Sequence, residues 1–179
     1  MPGMHVNVIG LGHRLRHDDA LGLFLLERLH KRGVPEGVRL IKAGGDQSVL
    51  TGLLDNTSQG ELLLIVDAIC LGAVPGTIHY LPNMSASGAF SDDRLGLFDM
   101  RPFYFQTSEA NQDRLVIIGL EPADLSHGIG LTPIVRKRLP ALEVAVRSCI
   151  VQFGRVGLLS QPYENAEAPS PSALTRLLN

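Results

Sequence analysis

Two adjacent carboxylates, Asp18 and Asp19, follow a glycine turn near the start of the chain. The turn, Gly10-Leu11-Gly12, closes an apolar run, and a helical pattern with Leu21, Phe24, Leu25 and Leu29 on one face follows the acids. A loop carboxylate can hold a cation or act as a general base. An acid at the start of a helix also caps free amides and is favoured by the helix dipole. Capping is the commoner interpretation of both aspartates.

Two further acids lie where ligands are often bound. Asp67 ends the uninterrupted apolar run Leu62–Val66, which is typical of a strand covered on both faces. Open α/β sheets bind ligands beyond the carboxyl ends of their strands. Asp93 stands near the start of a predicted helix, where the dipole explains an acid equally well. If Asp19, Asp67 and Asp93 meet at one sheet edge, their repulsion predicts a compensating cation or proton.

The elements that position these acids alternate along the chain. We expect a single domain over residues 1–160 and a loosely ordered tail over 161–179, which is rich in Pro, Ser and Ala. Strand–helix alternation predicts an α/β fold: three layers, with a mainly parallel sheet and helices on both faces. The predicted strands are 5–9, 38–43, 62–66, 77–81 (a possible edge strand) and 114–120. The predicted helices start near Asp18 or Asp19 and cover 47–54, 91–100 and 133–153, with a kink or break at Pro140.

The composition excludes several classes of protein. The net charge of −2 does not favour a nucleic-acid surface. No apolar run is long enough to span a bilayer, and Met1 to Val6 lacks the pattern of a signal peptide. The two cysteines, Cys70 and Cys149, form no CxxC motif. We therefore expect buried thiols and a cytoplasmic location.

Several short motifs, taken in order, resemble the [NiFe]-hydrogenase maturation endopeptidases from about Asn7 to Phe153. These motifs are Gly10-x-Gly12, Asp18-Asp19-Ala20-x-Gly22, Gly44-Gly45, Asp67-Ala68, Leu95-Gly96-Leu97 and Gly130-Leu131-Thr132-Pro133. The resemblance implies an aspartic-type, metal-dependent endopeptidase that removes a C-terminal peptide from the nickel-loaded hydrogenase large-subunit precursor. It also implies that the precursor is the partner and supplies the nickel.

The resemblance implies a metal site with an acid, an aspartate and a histidine as ligands. The first two positions fall on Asp19 and Asp67, which are also the predicted catalytic residues. The histidine position falls on Asp93, so the chain departs from the family there. Imidazole suits nickel, whereas carboxylate oxygens favour harder cations. His13 or His17, in the loop beside Asp19, is a candidate to supply a nitrogen, and we include His13 among the predicted ligands.

Two alternatives belong to other classes of function. One is a non-catalytic or altered-metal relative that acts as a binding or chaperone-like maturation protein, because the histidine is missing. The other is a dinucleotide-binding domain, suggested by Gly10-x-Gly12. The third glycine of that fingerprint falls on Leu15, and Ala43 ends the second strand without an acid for a ribose. The dinucleotide alternative is therefore disfavoured.

Overall fold

The computed structural model describes residues 5–45, 48–49, 52–53, 61–82 and 115–156. Its centre is a five-stranded sheet with the order β2-β1-β3-β5-β4. Strands β1, β2, β3 and β5 are parallel, and β4 pairs antiparallel with β5 at the edge. The strands are β1 (Val6–Leu11), β2 (Val38–Gly44), β3 (Leu62–Ala68), β4 (Ile78–Pro82) and β5 (Leu115–Leu120). The predicted α/β class and mainly parallel sheet are confirmed.

The helices cover the sheet because its strands are apolar on both faces. A 3₁₀ turn, His17–Ala20, leads into α1 (Leu21–Arg32), and α2 is Pro133–Val156. Both helices bury their apolar sides against one sheet face, in a cluster that includes Val8, Leu64 and Ile118. The opposite cluster contains Ile9, Ile65 and Ile117, with Val49 and Leu53 from helical residues packed against it. No helix among the described residues is long and apolar enough to cross a membrane.

The structure corrects the prediction at Pro140. Helix α2 runs through this residue without a break. Pro140 is exposed, so the backbone carbonyl that loses its helical donor can turn towards water. The thiol prediction also needs correction, because Cys149 is buried while Cys70 is only half-buried. The predicted helix 91–100 and the predicted tail 161–179 lie outside the described residues.

Candidate functional site

The sheet topology creates a crevice at one edge. Strand β2 lies on one side of β1 and β3 lies on the other, so the chain changes direction between β1 and β3. Ligands of open α/β sheets bind at such a switch point, beyond the carboxyl ends of the strands. Asp19 lies in the 3₁₀ turn that follows β1, and Asp67 is the second-to-last residue of β3. Topology alone therefore directs both acids to this crevice.

Two glycines let the loop and helix α1 approach the strand ends closely. A Cβ on Gly12, whose φ is +112°, would overlap the backbone carbonyl oxygen of Asp19. A Cβ on Gly22 would overlap backbone atoms of Leu11 and Val66. Only glycine fits such contacts, so the start of α1 lies directly against β1 and β3. This contact fixes where Asp19 stands relative to Asp67.

Asp18 is turned inward and connects two loops. It is fully buried, and one oxygen accepts hydrogen bonds from the backbone amides of Ala123 and Asp124, at 2.9 and 3.1 Å. The backbone amide and hydroxyl of Thr132 donate to the same carboxylate at 2.7 and 2.8 Å. A buried carboxylate needs this many donors to be tolerated. Asp18 thus anchors the loop that follows β5 to the loop that follows β1.

Asp19 is half-buried and lies in the same 3₁₀ turn. Its Oδ2 accepts a hydrogen bond from the backbone amide of His13 at 2.8 Å. The helix cap predicted for Asp18 and Asp19 is wrong, because neither the 3₁₀ turn nor α1 has a side-chain cap. The two acids instead have different surroundings. Asp18 is fully buried and hydrogen-bonded to the loop after β5, whereas Asp19 is half-buried.

Asp67 is buried, with 7% of its surface exposed. Its Oδ1 accepts the backbone amide of Ala68 at 2.8 Å. Burial raises the pKa of Asp67 to about 8, although the amide hydrogen bond lowers it, and the negative charge of Asp19 makes a smaller contribution to this rise. Asp19 and Asp67 are therefore close enough for the charge of one to affect the ionisation of the other.

The other predicted ligands do not complete a metal group in the described region. Asp93 lies outside the described residues. Among the residues that the structure describes, no group of three or more His, Cys, Asp or Glu side chains is arranged to hold a metal ion. The pair Asp19 and Asp67 is the part of the predicted site that the structure places together.

The two loop histidines are engaged by their own surroundings. Nδ1 of His13 accepts the backbone amide of Leu15 at 3.2 Å. A metal on Nε2 would require the ring proton to move to Nδ1 and this hydrogen bond to break. Nδ1 of His17 donates to the carbonyl of Gly130 at 3.1 Å, and its Nε2 lies 3.9 Å from a carboxylate oxygen of Asp124. His17 therefore faces the loop after β5.

A buried pair at the same edge, His79 of β4 and Glu121 after β5, was not predicted from the sequence. Nε2 of His79 lies 2.8 Å from Oε2 of Glu121, and both side chains are nearly buried. The backbone amides of Leu71 and Gly72 donate to the same carboxylate, at 2.9 and 3.1 Å. Burial raises the pKa of Glu121, but these donors together hold it below its usual range. The signal in the sequence was Glu121 itself, an acid directly after an apolar strand, as Asp67 is.

Comparison with known proteins gives one consistent result. The model of a family described as hydrogenase maturation protease matches residues 24–148. The hydrogenase expression/formation protein HoxM of Azotobacter vinelandii is 30% identical over 98% of this chain and 86% of its own. The hydrogenase 2 maturation protease of Escherichia coli K12 is 33% identical over 78% of this chain and 87% of its own.

A solved structure agrees with these sequences. The hydrogenase maturating endopeptidase HybD from E. coli superposes with a TM-score of 0.62, at 26% sequence identity, and covers 83% of this chain and 93% of that one. The alternation of strands and helices and the mainly parallel sheet are common to both chains.

Proposed function

Because this chain belongs to the hydrogenase maturation protease family, we propose that it is an endopeptidase that removes a C-terminal peptide from the nickel-loaded hydrogenase large-subunit precursor. The observation that supports the proposal is that Asp19 and the buried Asp67, at the switch point of the sheet, are close enough for the charge of Asp19 to act on Asp67. The non-catalytic alternative gains no support from the comparisons, since the matching family model and the hydrogenase 2 relative are both named as proteases.

The chemistry of the Asp19 and Asp67 pair fits a cation. Burial and, to a smaller extent, the negative charge of Asp19 favour the protonated form of Asp67 by raising its pKa. A divalent cation would replace that proton and remove the repulsion between the two carboxylates. Asp19 and Asp67 would hold the ion, which comes with the precursor and supplies Lewis-acid polarisation of the scissile carbonyl. We keep Asp93 and His13 as candidates for a further ligand, and His13 requires the loop to rearrange.

The protein's own groups supply the proton transfers. In the metal-free state Asp67 carries a proton at neutral pH, because its pKa is raised to about 8. Binding of the cation would displace this proton, because a carboxyl group is deprotonated when it ligates a metal. Asp19, which is half-buried, is the group that we assign as the base towards water. Asp67 is assigned to hold the ion that would polarise the scissile carbonyl.

We place the reaction in the cytoplasm. The chain has only two cysteines, and burial raises the pKa of the Cys149 thiol to about 12, which makes this thiol unreactive. A sequence without paired cysteine motifs is typical of a reducing compartment.

The deciding experiment is incubation of the full chain with purified precursor, with and without bound nickel. We expect mass spectrometry to detect the released C-terminal peptide only from the nickel-loaded precursor. Asp19→Asn should lower the rate at least about a hundredfold, the scale of losing a general base. Asp124→Asn removes an exposed acid from the same sheet edge and should leave the rate within about twofold. Normal processing by Asp19→Asn would reject the role assigned to Asp19, and no processing by the wild type would reject the proposed function.

A further inference from the structure

The loop of residues 71–77 follows the strand that carries Asp67 and displays apolar side chains in water. Leu71 is 41% exposed and Val74 is 74% exposed. Single exposed apolar residues are ordinary on a protein surface. Their distribution here is uneven, because five of the seven exposed large apolar residues in the described ranges lie at the carboxyl edge of the sheet. These five are Leu15, Leu71, Val74, Ile129 and Ile134.

The 71–77 loop is built around one buried carboxylate. Glu121 accepts the backbone amides of Leu71 and Gly72 and the ring N–H of His79. The backbone of Glu121 continues the pattern, since its amide donates to Thr77 and its carbonyl accepts the amide of Gly76, both at 2.8 Å. Buried carboxylates with several donors hold their partners in a fixed geometry. One residue thus binds the loop at its start, its end and the adjoining edge strand.

Helix α2 braces the loop from the other side. Nε of Arg138 donates to the carbonyl of Gly76 at 3.1 Å, and a Cβ on this glycine would lie only 2.9 Å from Cγ of Arg138. The amide and hydroxyl of Thr77 both donate to the carbonyl of Val74, at 3.0 and 2.6 Å, and close a tight turn. The exposed side chain of Val74 therefore stands on a rigid turn.

A rigid loop that displays apolar side chains beside a catalytic crevice is arranged to meet a protein surface. The occupant follows from the proposed function, on which this inference depends: the precursor is a folded protein whose terminus must enter the crevice beside Asp67. We propose that Glu121, braced by His79, is a positioning residue that holds the 71–77 loop as a docking surface for the large-subunit precursor, with Leu71 and Val74 as its apolar contacts.

A matched pair of substitutions tests the docking surface. Val74 on the loop and Val144 on the exposed side of α2 are both well exposed, so Val→Ser costs little stability at either position. We expect Val74→Ser to raise the KM for the nickel-loaded precursor about fivefold and leave kcat unchanged, as losing one interface contact does. Val144→Ser should leave KM and kcat as in the wild type. Equal KM values for the two variants would overturn the proposal.

A second set of variants tests the positioning role. Glu121→Gln places an amide NH₂ against a backbone N–H, so at least one loop hydrogen bond is lost. We expect an increased KM and faster hydrogen exchange at the amides of Leu71 and Gly72, in protein shown to be folded by circular dichroism. His79→Gln keeps an N–H donor and should retain the low KM, whereas His79→Leu should behave like Glu121→Gln. A uniform loss of kcat with unchanged KM would overturn the positioning role.

Direct binding separates this inference from the proposed function. The Kd of each variant for the intact precursor is measured by biolayer interferometry beside the cleavage assay. Wild-type protein that binds but releases no peptide would reject the protease function, and a weaker Kd for Val74→Ser alone would still support the docking surface. If the wild type cleaves and the Val74→Ser and Val144→Ser variants bind equally, only the docking surface is rejected. Absence of both binding and cleavage rejects both proposals.

Discussion

At the scale of single residues, Asp67 stands out because its carboxyl group is buried. The folded protein favours the protonated form, since burial raises the pKa of Asp67 to about 8 from its ordinary value of 3.8. The folded state therefore retains a proton that the unfolded chain loses as the pH rises through this window. Stability of the metal-free protein must fall as the pH rises between those values.

The corresponding prediction concerns Asp67→Asn, which keeps the shape and stays neutral. In chelator-treated protein, the free energy of unfolding of the wild type should decrease by a few kcal/mol between about pH 5 and pH 8.5, on the scale of 1.4 kcal/mol per pKa unit. The free energy of unfolding of Asp67→Asn should decrease much less over the same pH range, so the variant should be the more stable protein at pH 8.5. Urea unfolding at the two pH values measures both.

Asp124→Asn is the control, because the backbone and side chain of Ser126 already hold the pKa of Asp124 below its usual range. Asp124 is therefore already ionised over the whole range from about pH 5 to pH 8.5. The free energy of unfolding of Asp124→Asn should fall with pH as steeply as that of the wild type. Parallel slopes for Asp67→Asn and the wild type would contradict the raised pKa and, with it, the proton assigned to Asp67.

Residue types alone predicted which acids to consider but not how they divide their roles. Asp18 and Asp19 are identical in chemistry and adjacent in sequence, and only the packing of the loop after β5 shows that Asp18 is structural. The Glu121–His79 pair was missed for the same reason. Its members are distant in sequence and meet only because β4 pairs antiparallel with β5.

At the scale of elements, the close contact of α1 with the strands depends on Gly22. In an ordinary helix Gly→Ala stabilises by about 1 kcal/mol. At Gly22 the added methyl group would overlap backbone atoms of β1 and β3 that have no room to move. We expect Gly22→Ala to reduce the free energy of unfolding by about 1 to 3 kcal/mol, the usual cost of overpacking, and to slow cleavage by displacing Asp19.

Gly45→Ala is the matched control for that prediction. A Cβ on Gly45 meets no atom within 4 Å, and its φ is not in the left-handed region. Its unfolding midpoint in urea should remain close to that of the wild type. A Gly22→Ala protein as stable and active as Gly45→Ala would show that the start of α1 is not held against the strands.

The hydrophobic pattern predicted the strands correctly but not the continuity of the last helix. The apolar runs that end at Ile9 and Val66 are strands, as expected, because only a sheet covered on both faces buries such runs. The break predicted at Pro140 is wrong, since local propensity yields to the burial of Leu139 and Leu142 on the core side of α2. Periodicity cannot weigh one lost hydrogen bond against the packing of a whole helix.

At the scale of the whole molecule, α1 and α2 are joined by one buried acid. Glu143 on α2 accepts hydrogen bonds from Arg28 of α1 at 3.0 Å and Arg147 at 3.1 Å. Burial raises the pKa of Glu143, but the guanidinium groups of Arg147, Arg28 and Arg32 hold it below its usual range. A lowered pKa contributes stability above the unfolded value of 4.5, and this contribution is lost as the pH falls through the folded value.

We therefore predict that Glu143→Gln lowers the free energy of unfolding at pH 7 by about 1 to 3 kcal/mol. This is less than for a fully buried pair, because Arg28 and Arg147 are each about one-third exposed. The difference in free energy of unfolding between Glu143→Gln and the wild type should decrease as the pH falls below 4.5. Chemical unfolding at pH 7 and pH 3 measures the change, with exposed Glu36→Gln as the control. An equal difference in free energy of unfolding at pH 7 and pH 3 would show that the ion pairs of Glu143 are not the cause of the destabilisation.

Because Asp18 is fully buried and Asp19 is half-buried, this turn differs in how it tolerates substitutions and changes of length. The side chains of consecutive residues leave the backbone in different directions, so one acid is committed to the interior and its neighbour stays half-buried. In a turn of unchanged geometry, removing one residue between Gly12 and Asp18 would place Asp19 at the interior position and Ala20 beside it, whereas adding one would place His17 at the interior position. The turn therefore accepts replacement of its exposed side chains far more readily than any alteration of its length.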